Sequence, residues 1–108
     1  MVAGVPILDC QGTLEFGASA TELLMRAKQV LEEHKKLVIN LAEVKRADSA
    51  GVGTLFSIYI SATKNGSRMA LLNLNPQPHG VLTSARLLPL VEVYGDEVSA
   101  VTALGAVS

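Results

Sequence analysis

The sequence contains a single cysteine, Cys10, which excludes an internal disulfide and leaves too few soft ligands for a cysteine-rich metal site. A reducing compartment fits that usage. No run approaches the roughly 20 apolar residues needed to cross a bilayer. The opening MVAGVPILDC lacks the basic start and long apolar stretch of an export signal. The expected location is the cytoplasm, with no direct membrane insertion. Net charge is also missing: at −1, the chain has no field for gathering phosphate backbones, which argues against a nucleic-acid partner. Nor is there an internal repeat, a low-complexity segment or a linker. The 108 residues, 49% hydrophobic and 18% charged, are therefore expected to fold as one domain over residues 1–108.

Catalytic patterns are absent as well. Ala47-Asp48-Ser49-Ala50-Gly51 lacks the first glycine of the G-x-S-x-G nucleophile elbow. The two histidines, His34 at a helix end and His79 beside prolines, read as surface residues. Gly12, Gly17, Gly51 and Gly53 form neither a phosphate loop nor a dinucleotide fingerprint. No enzymatic activity and no cofactor of the domain's own is expected.

What is present is an alternation of strand and helix patterns. Residues 5–10 form a β-like run, and Gln11-Gly12 suggests a turn into a second strand at 13–16. Ser19-Ala20-Thr21-Glu22 matches a capping box, followed by Leu23, Leu24, Ala27, Val30 and Leu31 at helical spacing. The run 37–41 is apolar on both alternate sets, as in a central strand covered on both faces. A loop at 42–48 leads to a second helix with Val52, Leu55, Phe56, Tyr59 and Ile60 on its apolar face, ended by Asn65-Gly66. Residues 69–74 read as a strand. A short helix with Val81, Leu82 and Ala85 stops near Pro89, a last strand spans 90–93, and Asp96 can cap a final helix. The order ββαβαβαβα predicts an α/β fold: a mixed, mostly parallel sheet of four to five strands, a hairpin-like edge pair and about four helices.

Sites in such sheets lie beyond the carboxyl ends of the strands, which directs attention to VKRADSAGVGTLFSIY, residues 44–59. Ser49 has two readings. It caps the helix, as serine and aspartate commonly do, or it is a group on which chemistry is done. Gly51 and Gly53 each cost roughly 1 kcal/mol against alanine inside a helix, which close approach of another surface would offset. With Ala50, Thr54, Ser57, Ile58 and Ser61, Gly53 leaves an expected outward face small, hydroxylated and uncharged, suited either to docking or to burial under another element. Glu15 and Asp48 follow strands. They are either solvated loop carboxylates or groups that position Mg²⁺ or a donor phosphate during phosphoryl transfer to Ser49.

Asp48-Ser49-Ala50-Gly51-Val52-Gly53, set between the strand 37–41 and an apolar helix ending at Asn65-Gly66, resembles the signature of STAS domains, shared by anti-sigma factor antagonists and sulphate transporters. The likeness extends to Gly12-Thr13-Leu14-Glu15, Leu71-Leu72-Asn73-Leu74 and Val93-Tyr94-Gly95-Asp96-Glu97. In the stand-alone bacterial members, the matching serine is phosphorylated by a partner anti-sigma factor that is a serine-protein kinase and is dephosphorylated by a serine phosphatase. The resemblance implies partner switching. The unmodified domain occupies the kinase and frees a sigma factor, and the form phosphorylated on Ser49 lets go, with Asp48, Glu15, Gly51 and Gly53 around the phosphoacceptor. The short N-terminus leaves the first strand little room, so that its edge pairing is expected to be either shorter or supplied by a second copy in a homodimer. The alternative is a STAS subunit of a signalling scaffold or lipid-transport complex, with Ser49 only a cap.

Overall fold

Leu37, Val38 and Ile39 have no exposed surface, as a run apolar on both alternate sets requires, because they lie in an interior strand with helices on both faces. The computed structural model describes residues 4–14, 18–87 and 90–105. The order is β1 (Ile7–Leu14), α1 (Ala18–Glu33), β2 (Lys36–Ala47), α2 (Ser49–Lys64), β3 (Arg68–Leu72), α3 (Pro76–Ser84), β4 (Glu92–Tyr94) and α4 (Glu97–Gly105). The sheet order is β1-β2-β3-β4 and every ladder is parallel. Right-handed crossovers between sequential parallel strands put α1, α2 and α3 on one face. There Leu37, Ile39, Leu41, Met69 and Leu71 pack with Leu23, Ala27 and Leu31 of α1, Leu55 and Ile58 of α2, and Leu82 of α3. On the other face Val38, Ala70 and Leu72 meet Val5 and Ala100, Val101 and Leu104 of α4.

The α/β class, a mostly parallel sheet of four to five strands and about four helices are as expected; several boundaries differ. The runs at 5–10 and 13–16 join in β1, which continues through Gln11-Gly12 in parallel with β2, and residues 15 and 16 lie outside the described residues. A hairpin-like edge pair is thus absent among the described residues. Helix α1 starts at Ala18, so Ser19 sits inside its first turn, and the cap position lies outside the described residues. The last strand is Glu92–Tyr94, with Leu90 left exposed in the preceding turn. Gly66 takes the left-handed conformation after α2 (φ 68°), and the Ser67 N–H reaches back to Ala62 O at 2.8 Å, the glycine termination foreseen from Asn65-Gly66.

The largest departure positions the site. The expected loop 42–48 is strand as far as Ala47. Between the pairs Asp9↔Asn40 and Gln11↔Glu43, β2 advances three residues while β1 advances two; between Gly12↔Val44 and Thr13↔Arg46 it advances two against one. Each extra residue is a bulge that shifts the inward-facing phase by one. Leu37, Ile39 and Leu41 face the core, and after the bulges Val44 and Ala47 do so. Exposed Glu43, Lys45 and Arg46 between them imitate a loop in sequence.

Candidate functional site

Chain reversal at the end of β2 starts with Asp48, whose extended backbone (φ −116°, ψ −174°) is that of a helix N-cap. Its Oδ1 accepts a hydrogen bond from the Gly51 N–H at 3.0 Å, and its carbonyl accepts the first helical bond, from Val52 N, at 3.0 Å. Asp48 therefore satisfies a free donor of the first turn, as an N-cap side chain should. The reading of Ser49 as the cap is corrected: Ser49 is the first helical residue, exposed, and among the described residues its hydroxyl makes no hydrogen bond. It stands at the end of the helix where backbone N–H groups and the helix dipole favour added negative charge. Glu15, the second carboxylate expected here, lies outside the described residues.

Helix α2 is rolled relative to the expectation. Its buried stripe is Gly51, Leu55, Ile58 and Ala62. Val52 and Tyr59 are half-buried, whereas Phe56 and Ile60, assigned to the core from their size, are 44% and 36% exposed. Ile58, assigned to the docking face, is fully buried and is removed from it. The cause is that Gly51 and Ala62 extend the core stripe with small residues that a search for large apolar side chains passes over. On the surface, the Phe56 ring stacks against Tyr59 with centroids 6.3 Å apart, covering part of the apolar area left outside.

The remaining residues of the expected face fall unequally. Ser57 is exposed; Ala50, Thr54 and Ser61 are half-buried. The Thr54 hydroxyl donates to Ala50 O at 3.1 Å, so it is spent within the helix. Gly51 is buried, as close packing implies, but a Cβ built on Gly53 would meet nothing within 4 Å. The domain's own packing does not require glycine there. Positions 49, 53, 56 and 60 recur at helical spacing, so Ser49, the Gly53 notch, Phe56 and Ile60 share one exposed stripe.

Two groups that sequence reasoning passed over hold the approach to this site. Asn75, the N-cap of α3, donates its amide to Leu41 O, Ala42 O and Val44 O at 3.3, 3.0 and 2.8 Å. Gln77 accepts from Ala47 N at 2.7 Å and donates to Ala47 O at 3.0 Å. Asn75 before Pro76 could have been flagged as a cap, although its side chain makes no cap bond; Gln77 between two prolines carries no signal.

Burial pushes the Cys10 thiol up to about 11, Arg26 opposing and Asp9 reinforcing, so it holds its proton near neutrality. His34 precedes β2, at the opposite end of that strand from Ser49, and His79 is exposed on α3.

The comparisons with known proteins agree with this frame. The STAS domain family matches residues 2–100. A curated relative, the anti-sigma F factor antagonist of Paenibacillus polymyxa, is 28% identical over 107 residues, covering 97% of this chain and 91% of the relative. Among solved structures, the anti-sigma factor antagonist SpoIIAA in its unphosphorylated form superposes with a TM-score of 0.82 at 18% identity, over 100% of this chain and 95% of that one. The STAS domain of a SulP transporter from Vibrio cholerae gives 0.78 at 19% identity, over 98% and 84%. At such identities the solved structures establish the shared fold alone. No helix among the described residues is long and apolar enough to cross a membrane.

Proposed function

The chain belongs to the STAS domain family, and on that premise we propose that it is an anti-sigma factor antagonist: a non-catalytic cytoplasmic module that binds an anti-sigma factor through α2 and is released when that partner phosphorylates Ser49. The observation that carries the reading is the division of labour at the start of α2. Asp48 caps the helix, which leaves the Ser49 hydroxyl exposed and, among the described residues, without a hydrogen bond. The similarity to an anti-sigma F factor antagonist over nearly the whole chain supports the class of partner.

In the proposed cycle, the anti-sigma factor packs on the stripe of Ser49, Gly53, Phe56 and Ile60, with Ala50, Ser57 and Ser61 at its margins. The notch at Gly53 admits close approach, and the half-exposed Phe56 and Ile60 supply apolar area. The Ser49 oxygen attacks the γ-phosphorus of ATP held by the partner. The bond from that phosphorus to the bridging oxygen breaks, ADP leaves, and the hydroxyl proton passes to a base of the partner. The product carries about −1.5 to −2 charge near neutral pH, beside Asp48. A packed partner would have to desolvate that charge against like charge, whereas the isolated domain holds it in water at a favourable helix end. Release follows, and a serine phosphatase resets the domain.

The reading is tested by incubating the chain with the ATP-binding anti-sigma factors of its source and MgATP, followed by peptide mass spectrometry. One phosphoryl group on Ser49, absent in Ser49→Ala, is expected. Binding of an anti-sigma kinase with Ser49 left unmodified would overturn it.

A further inference from the structure

On the reading of Ser49 as phosphoacceptor, we propose that Gln77 is a positioning residue for it, acting through Ala47 as a surrogate for a missing strand. The need arises from the topology. Strand β3 ends at Leu72, the partner of Asn40, yet β2 continues to Ala47 with β1 on one side only. From Leu41 onward the backbone groups on the open side have no strand to meet among the described residues, and buried backbone groups require partners. The N-terminal turn of α3 supplies them. The Asn75 amide meets the carbonyls around the first bulge, and Gln77 takes the last residue of the strand.

The Gln77 contact is bidentate. The N–H and C=O of one strand residue point to the same side, where a neighbouring strand would normally take both. A primary amide offers an acceptor and a donor in one plane and meets both Ala47 groups at once, at 2.7 and 3.0 Å. Ala47 is buried and Gln77 half-buried, so water does not readily replace the pair. Ala47 precedes the Asp48 cap, which precedes Ser49. A shift of the strand end is therefore passed directly to the hydroxyl, and transfer to a group held in a partner's site is sensitive to misplacement on the scale of 1 Å.

The test uses the full chain and two variants. In Gln77→Ala, the Ala47 amide should exchange with solvent about tenfold faster or more. The backbone of Ser49 should gain amplitude in ¹⁵N relaxation, and β3 amides should keep their protection. Gln77→Glu separates a clamp from mere bulk. An ionised glutamate has no proton to donate to the Ala47 carbonyl; its second oxygen repels that carbonyl and should drive the side chain off both groups, so protection at Ala47 should fall near neutrality and return as the side chain is protonated below about pH 4.3. With the kinase that modifies the parent chain, Gln77→Ala should lower kcat about tenfold or more while KM changes little. Unchanged Ala47 protection in Gln77→Ala overturns the clamp even where Ser49 is phosphorylated normally. Faster exchange at Ala47 with the parent's kcat overturns the positioning role and leaves the Ser49 assignment standing. Absence of Ser49 modification in the parent removes the phosphoacceptor reading by itself.

Discussion

Replacing Asp48 with alanine removes the oxygen that receives the Gly51 N–H and should destabilise the fold by about 1 kcal/mol. Ser49→Ala removes only an exposed hydroxyl at the first helical position and should stay within about 0.5 kcal/mol of the parent. Urea unfolding of the two variants checks the assignment, and equal losses would return the cap to Ser49. Gly53 makes a sharper case because stability and binding should move in opposite directions. The position is helical and exposed, and a methyl group there meets nothing, so Gly53→Ala should stabilise the domain by up to about 1 kcal/mol. The same methyl fills the notch on the proposed docking stripe and should weaken partner affinity, measured by calorimetry on the same preparation. Stabilisation with unchanged affinity would mean that the partner does not approach Gly53.

At the scale of elements, the short β4 is held by its ladder to β3 and by a polar junction. Arg68 on β3 donates through Nε to Glu92 Oε2 at 3.0 Å, pairs through Nη2 with Glu92 Oε1, and donates through Nη1 to Ala103 O of α4 at 3.2 Å. Tyr94 adds its hydroxyl to Glu92 Oε1 at 2.7 Å. Partial burial alone would raise the Glu92 pKa, but the hydrogen bonds from Arg68 and Tyr94 outweigh it and hold the carboxyl below its ordinary value of 4.5. A carboxylate depressed in the folded state contributes stability above its unfolded pKa and loses it as the pH falls through the folded one. Chemical unfolding on the acid side of pH 4.5 should therefore show a loss that flattens in Glu92→Gln. What remains includes the contribution of Asp96, lowered by the N–H and hydroxyl of Ser99. Identical acid slopes in parent and variant would contradict the junction. The elements were not equally legible in sequence. Helix α1 was, because Leu23, Ala27 and Leu31 keep one period throughout. The outer half of β2 was not, since its bulges break the alternation by which strands are recognised. Helix α2 was found, but its roll was misjudged, because burial there follows Gly51 and Ala62 as much as large side chains.

At the scale of the whole molecule, a sheet of sequential parallel strands gathers α1 to α3 on one face and leaves the turn between β2 and α2 at the carboxyl end of an interior strand. That much followed from the strand and helix alternation, and so did the place of Ser49 at that turn. The support from Asn75 and Gln77 did not follow, because contacts between residues some 30 positions apart leave no local pattern. The proposed switch joins a fold that tolerates a charge on Ser49 to an interface that does not. Titration calorimetry of the anti-sigma partner against the unmodified chain and against fully phosphorylated Ser49, with unfolding curves of both forms, tests it most directly. The account predicts affinity at least about tenfold weaker for the phosphorylated form, a difference of about 1.4 kcal/mol or more, with folding stability nearly unchanged. Equal affinities for the two forms would contradict it.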